Sequence, residues 1–297
     1  MYSITLFLVK LISLLPFGVL YVLSDFFYFI VHYVLGYRKK VVRENLKNSF
    51  PEKTFQERKN IEKKFYRHFC DLIFEGLKLY SMSPDELGKR MQFVGHQAVL
   101  SHYDEGRSVM LLASHYGNWE WTSFFSTYLP SDKPVYQVYR KQKSSISDRI
   151  IDKLRRRFGA RNIEMKSLYR SLIQMKQAGK LGMFGMISDQ SPRWHDNLYW
   201  TDFLNQPTAM IDGTEQIAQK FNYPVYYCGV RKIKRGYYTC TFLPICTEPK
   251  EAPEHEITEK YVRLLEKTIQ EHPAYWLWSH KRWKHNKRLE VGSLTGT

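Results

Sequence analysis

Acidic residues are scarce in this 297-residue chain. It has 29 of them against 45 lysines and arginines, a net charge of +16 and a pI near 9.5. That imbalance calls for an anionic partner: nucleic acid, lipid headgroups or an acidic protein. Cysteine is also sparse. Cys70, Cys228, Cys240 and Cys246 form no C-x-x-C and no Cys/His cluster with zinc spacing, so we expect reduced thiols, no disulfide and no metal. G-x-S-x-G, the P-loop and H-E-x-x-H are missing, which removes the commonest hydrolase and NTPase readings. No RNP-like motif or heptad-linked basic region occurs, so the charge has no nucleic-acid module to serve. Aromatic residues are plentiful at 15%. Together with the basic surplus they suit a membrane interface.

Charge is missing altogether from most of the N-terminus. From Leu11 to Tyr37 the one formal charge is Asp25. Such a span covers about 40 Å as a helix, more than the roughly 30 Å hydrocarbon core. Pro16 and Gly18 interrupt it, and no small-residue cleavage site follows. We read residues 1–37 as a retained membrane anchor, spanning or lying obliquely in one leaflet. The basic cluster Arg38, Lys39, Lys40, Arg43 and Lys47 then puts the remainder, 38–297, on the cytoplasmic side as a single domain.

Within that remainder, 54–82 has amphipathic helical spacing closed by Ser83-Pro84. Buried-looking strands at 108–114, 134–140 and 181–188 alternate with helical segments at 117–128, after Arg140 to Phe158, and at 167–178. Asp212–Phe221 reads as a helix, 224–233 and 237–245 as strands around a turn at Lys234-Arg235-Gly236, and 255–271 as a last helix. The rhythm predicts an α/β fold with a mostly parallel central sheet flanked by helices, with the two late strands extending it antiparallel.

Three of these strands end in polar residues. "VMLLASHYGNWEW" delivers His115, with Glu120 five positions on. Neither a continuous helix nor a continuous strand brings that pair together. A strand turning sharply into a helix does: Gly117 permits the turn, Asn118 is a good N-cap, and Glu120 falls in the first helical turn. The pair is then either a decorated turn or a base with its orienting acid. "PVYQVYR" ends in Arg140, the first of 11 basic residues against 3 acidic ones up to Arg170. "LGMFGMIS" ends in Asp189, which can hold Arg140 or complete a polar site. Carboxyl ends of strands are where open α/β sheets place their chemistry. Asn118, Arg149, Lys281 and Arg282 are the candidate substrate-binding residues, the last two from the Trp-rich basic stretch "AYWLWSHKRWKHNKR".

"ASHYGNWEW", "VYRK", "SDQSP" and "YWLWSHKRWK", in that order behind an apolar N-terminus and "RENLKNSFPE", resemble the late acyltransferases of lipid A biosynthesis, within the glycerolipid acyltransferase-like group. The likeness runs over essentially the whole chain. It implies an enzyme on the inner membrane of a Gram-negative bacterium that moves a fatty acyl chain from acyl carrier protein to a hydroxyl of a lipid A precursor, with no cofactor beyond that thioester co-substrate. It also implies His115 as general base, Glu120 as its partner, Arg140 as oxyanion stabiliser and Asp189 as the acid of the later motif. Gln190 is followed here by Ser191, where the family often has a second acid. An acyltransferase for a lysophospholipid or aminolipid, and a non-catalytic membrane lipid-binding protein, are the competing readings.

Overall fold

The computed structural model describes residues 2–130, 133–141, 144–192 and 198–284. Pro16, which lacks an amide proton, splits the apolar N-terminus into α1 (Tyr2–Leu14) and α2 (Phe17–Phe29), the latter prolonged by a π-helical turn, Ile30–Val34. The chain continues through α3 (Lys39–Ser49), α4 (Phe55–Lys78), α5 (Pro84–Arg90) and β1 (Met91–Val94). Next come α6 (His96–Asp104), β2 (Val109–Ala113), β3 (Val135–Tyr139), α7 (Ser145–Arg156), β4 (Arg161–Glu164), α8 (Leu168–Gln177) and β5 (Met183–Ile187). A separate two-stranded hairpin, β6 (Leu198–Phe203) and β7 (Gln206–Ile211), precedes α9 (Gly213–Phe221), β8 (Val225–Lys234), β9 (Tyr237–Cys246) and α10 (Glu256–Glu271).

Seven strands form one sheet in the order β1-β9-β8-β2-β5-β3-β4. The run from β8 to β4 is parallel, and β9 returns antiparallel to β8. This is the expected α/β sheet with its late antiparallel extension. Every residue of β2 is buried, and alternate side chains enter different clusters: Met110 and Leu112 on one face, Val109, Leu111 and Ala113 on the other. A strand apolar at every position is one covered on both sides. The four cysteines are free thiols.

Two local forms differ from the sequence pattern. The helix expected at 117–128 is a 3₁₀ helix, Trp119–Tyr128. The hydroxyls of Thr122, Ser123, Ser126 and Thr127 each donate to the carbonyl three residues earlier, at 2.6–2.9 Å. Such bonds compete for the α-helical acceptors and favour the tighter winding. The helix α4, capped by Thr54 in a capping box with Glu57, ends at Lys78 rather than running to 82.

The apolar N-terminus is packed along one side. Tyr21 donates to Glu75 at 3.0 Å, Ser24 to Asp71 at 2.9 Å, and Lys78 to the carbonyls of Ser13 and Leu15 at 2.9 Å. Arg235 binds both Asp25 and Asp71. The opposite side, carrying Phe7, Leu11, Val22, Phe26 and Phe29, is exposed apolar surface. Residue 37 is thus a boundary of composition, and packing runs across it. Phe17–Val34 is long and apolar enough to be a candidate anchor.

Candidate active site

The register of β2 on β5 builds the centre of the site. Ala113 pairs with Ile187, so the positions two further on, His115 and Asp189, lie side by side as the strands end. Asp189 is buried, and its carboxylate accepts three hydrogen bonds. His115 Nδ1–H donates to Oδ1 at 2.7 Å, while the His115 amide and Trp276 Nε1–H reach Oδ2 at 2.9 and 2.8 Å. Burial alone would raise this carboxyl. The charge His115 carries when protonated, its hydrogen bonds and the bond from Trp276 outweigh it and hold Asp189 below the usual aspartate range. With Nδ1 committed to Asp189, Nε2 is the acceptor nitrogen, and the Gln190 amide donates to it at 3.1 Å. The imidazole keeps about a fifth of its surface open to solvent, with Trp119 edge-on at 5.1 Å.

The turn after His115 is fixed from two sides. Gly117 has φ +60°, and a Cβ there would meet Val230 Cγ1 at 2.7 Å, so both conformation and space demand glycine. Asn118 caps the 3₁₀ helix by accepting from the Trp121 amide, and donates to Glu75 at 2.7 Å. On the other side the C-terminal segment lies against the turn like a short strand. Gly117 donates to Tyr275, Leu277 donates to the His115 carbonyl, and Tyr116 pairs with Trp276. A Trp-rich tail thereby becomes a wall of the site. Trp276 was not among the residues singled out from sequence, and Gln190 entered only as part of a motif.

Glu120 occupies the first turn of its helix as expected, but it is not the residue that bonds the imidazole. Its carboxylate makes a two-point ion pair with Arg155 of α7, at 2.9 and 2.6 Å. Burial would raise Glu120. Arg155 outweighs this and holds it low, with a smaller contribution from nearby His115. The orienting role assigned to Glu120 thus falls geometrically to Asp189, because strand register places Asp189 at Nδ1 while the helix turns Glu120 toward α7.

Arg140 is exposed just past β3, two strand spacings from β2, roughly 10 Å in such a sheet; one of its contacts is Met165 Sδ at 3.9 Å. Asp189 meets His115 rather than Arg140. Among the substrate-binding candidates, Asn118 has both ends of its amide engaged in the turn. Arg149 is exposed on α7 with its guanidinium over Tyr2. Lys281 is exposed, but Arg282 is buried and donates to the Ala209 carbonyl at 2.6 Å. Burial brings its guanidinium down to about 10. His280 accepts from the Ser191 amide at 3.1 Å, and burial lowers it to about 4, so it is neutral at physiological pH. The remaining basic cluster residues His285, Lys287 and Arg288 lie outside the described residues.

A histidine oriented by a buried carboxylate at the carboxyl end of a parallel sheet is chemistry that many folds share, so relatives decide the family. The family model for bacterial lipid A biosynthesis acyltransferases matches residues 1–285. The chain belongs to that family. A lipid A biosynthesis lauroyltransferase from Escherichia coli K12 is 23% identical over 256 residues, covering 83% of this chain and 79% of that protein. Lipid A biosynthesis acyltransferase 2 from Shigella flexneri is 22% identical over 252 residues, covering 83% and 78%. Membership supports acyl transfer, rather than passive lipid binding, as the activity of this chain.

Proposed function

We propose that this lipid A biosynthesis acyltransferase transfers a fatty acyl chain from an acyl carrier protein thioester to a hydroxyl of a lipid A precursor, at the cytoplasmic face of the inner membrane. The observation that carries the reading is the His115–Asp189 pair, which leaves Nε2 as the proton acceptor in a part-open site. The acceptor hydroxyl takes the place of the Gln190 amide at Nε2. His115 removes its proton as the oxygen attacks the thioester carbon, and Asp189 stabilises the imidazolium. The carbon–sulfur bond then breaks, and the imidazolium returns the proton to the leaving thiolate. Arg140 is assigned to the developing oxyanion, reaching it from the end of β3, two strands from β2. Base and oxyanion donor are each worth about a hundredfold to a thousandfold in rate.

The membrane reading rests on the two-sided N-terminus. A spanning helix would carry the Asp25–Arg235 pair and the buried carboxylates at 71 and 75 into hydrocarbon, at high cost. A helix lying in the interface keeps them on the protein side and gives Phe7, Leu11, Val22 and Phe26 to the lipid. The net charge of +16 suits the bilayer surface, an acidic carrier protein and acceptor phosphates together.

The test is transfer from acyl carrier protein thioesters to purified lipid A precursors, read as a mass gain of one acyl chain. His115→Ala is expected to lose at least a hundredfold in rate while still binding vesicles. Normal turnover by that variant would defeat the mechanism. A deletion strain with intact lipid A and another lipid short of one chain would reassign the acceptor to a lysophospholipid or aminolipid.

A further inference from the structure

A cleft of about 770 Å³ lies away from His115, which is not among its lining residues. It lies between α3, the β6–β7 turn and the segment after His280. Lys47, Lys281 and Lys284 line it, with Glu44 the single acid among the lining residues. Four amides, Asn45, Asn48, Asn205 and Gln206, the indole of Trp283, and Val41 and Pro51 complete the wall. The turn that presents Asn205 and Gln206 is held from beneath: their side-chain amides donate to the carbonyl and hydroxyl of Ser49, at 3.1 and 3.2 Å. Asn45 donates to the carbonyls of Trp278 and His280, tying α3 to the same segment.

We infer that this cleft binds the phosphorylated sugar headgroup of the lipid acceptor, an inference that rests on the acyl-transfer reading above. Three features carry it. The lysines supply point charges for phosphate with little acid to oppose them. Asn48, and the amide groups of its neighbours not spent on holding the turn and the segment, can hydrogen-bond the hydroxyls of a saccharide. An indole presents an apolar face against which the C–H face of a sugar ring packs, with a polar edge beside it.

The position also fits. Lys281 follows His280, which accepts from Ser191, the neighbour of the Gln190 that bonds His115 Nε2. Trp283 packs at 6.0 Å from Trp276, whose indole bonds Asp189. The cleft and the catalytic pair therefore lie on two sides of one short segment, Trp276–Trp283. A headgroup seated against its outer side would leave an attached acyl chain free to bring a hydroxyl round to its inner side.

The experiment uses the full chain with Lys47, Lys281 and Lys284 all changed to Gln. Calorimetry follows binding of an acyl-free glucosamine disaccharide bisphosphate, with the unphosphorylated disaccharide as control and anionic phospholipid vesicles as a separate arm. Binding of the bisphosphate is expected to weaken at least tenfold. The KM for a phosphorylated acceptor is expected to rise by a similar factor, with kcat within about twofold. Retained bisphosphate affinity with reduced vesicle binding would assign the lysines to general membrane attraction and overturn the inference. Unchanged KM in an active triple variant would also overturn it, leaving acyl transfer intact. Bisphosphate binding that depends on the lysines, in a chain that transfers no acyl group to any phosphorylated acceptor, would uphold the cleft and defeat the proposed function.

Discussion

Two buried carboxylates hold the turn after His115 from opposite sides, and they are tuned in opposite directions. Asp189 holds His115; Glu75, on α4, holds Asn118 three residues later. Each is about 1% exposed and accepts at least three hydrogen bonds, those of Glu75 coming from Asn118, Tyr238 and Tyr21 at 2.7–3.0 Å. Yet Asp189 is held below its ordinary range, whereas Glu75 is pushed up by burial, with Asp71 alongside adding to the effect against Lys232. The difference lies in the company. In the proposed mechanism Asp189 faces a histidine that gains a proton, and it must remain an anion to stabilise that cation. Glu75 serves a fixed scaffold of tyrosines and an amide, where a negative charge has no task. Burial and hydrogen-bond count alone do not separate a working acid from a structural one; the partner does.

The largest effect that tests this contrast belongs to Asp189→Asn. The amide keeps the shape but offers an N–H where Nδ1–H needs an acceptor, so the imidazole loses its orientation. We expect kcat to fall about a thousandfold, with the melting temperature changed by a few degrees at most. A variant within tenfold of wild type would show that Asp189 does not set the base.

Glu75→Ala should do the reverse. It leaves three buried donors without an acceptor, and we expect a loss of about 3 kcal/mol in denaturant unfolding. Activity per folded molecule should fall much less than in the aspartate variant. Glu75→Gln should cost about 1 kcal/mol, and its pH dependence gives the sharper readout. A raised carboxyl contributes stability that is complete below the ordinary glutamate range and declines as pH rises through its folded value. The deficit of Glu75→Gln should therefore shrink as pH rises. Asp189, depressed, contributes above the ordinary aspartate value and loses that contribution as pH falls, so the deficit of Asp189→Asn should shrink toward acid. Parallel pH trends would erase the distinction.

The smallest effect is assigned to Glu120→Gln. Its pair with Arg155 is partly exposed, and we expect about 1 kcal/mol of lost stability with kcat within tenfold of wild type. Because the Glu120 carboxyl is depressed, this loss should be complete above the ordinary glutamate value and fade as pH falls below it. A thousandfold loss of kcat would restore Glu120 to the catalytic role that its spacing from His115 suggested.

That last case marks where the sequence stopped being legible. The three strand ends, the glycine turn, the asparagine cap and the sheet with its antiparallel extension all follow from local patterns: apolar runs, a glycine, a capping residue. Which acid meets His115 does not. It depends on β2 and β5 being neighbours in register, although 74 residues separate His115 from Asp189 in the chain. Glu120 was the nearer acid along the sequence and lost to a farther one in space. Arg282 shows the same limit. A basic residue in a basic cluster reads as surface, but it is buried because its helix-free segment folds back under the β6–β7 hairpin. Nothing local distinguishes it from Lys281.

The placement of the apolar face has a consequence for the order in which the molecule is made. Phe7, Leu11, Val22 and Phe26 leave the ribosome before the residues of the sheet do. The clasp between Asp25 and Arg235 joins residues 210 positions apart, and Tyr275 to Leu277, the last wall of the turn after His115, come later still. Any surface that receives the apolar face is met by a chain whose chemistry is still unfinished. On the proposed mechanism, a chain that met such a surface during synthesis would do so before its base was assembled, with nothing yet to expose to stray thioesters.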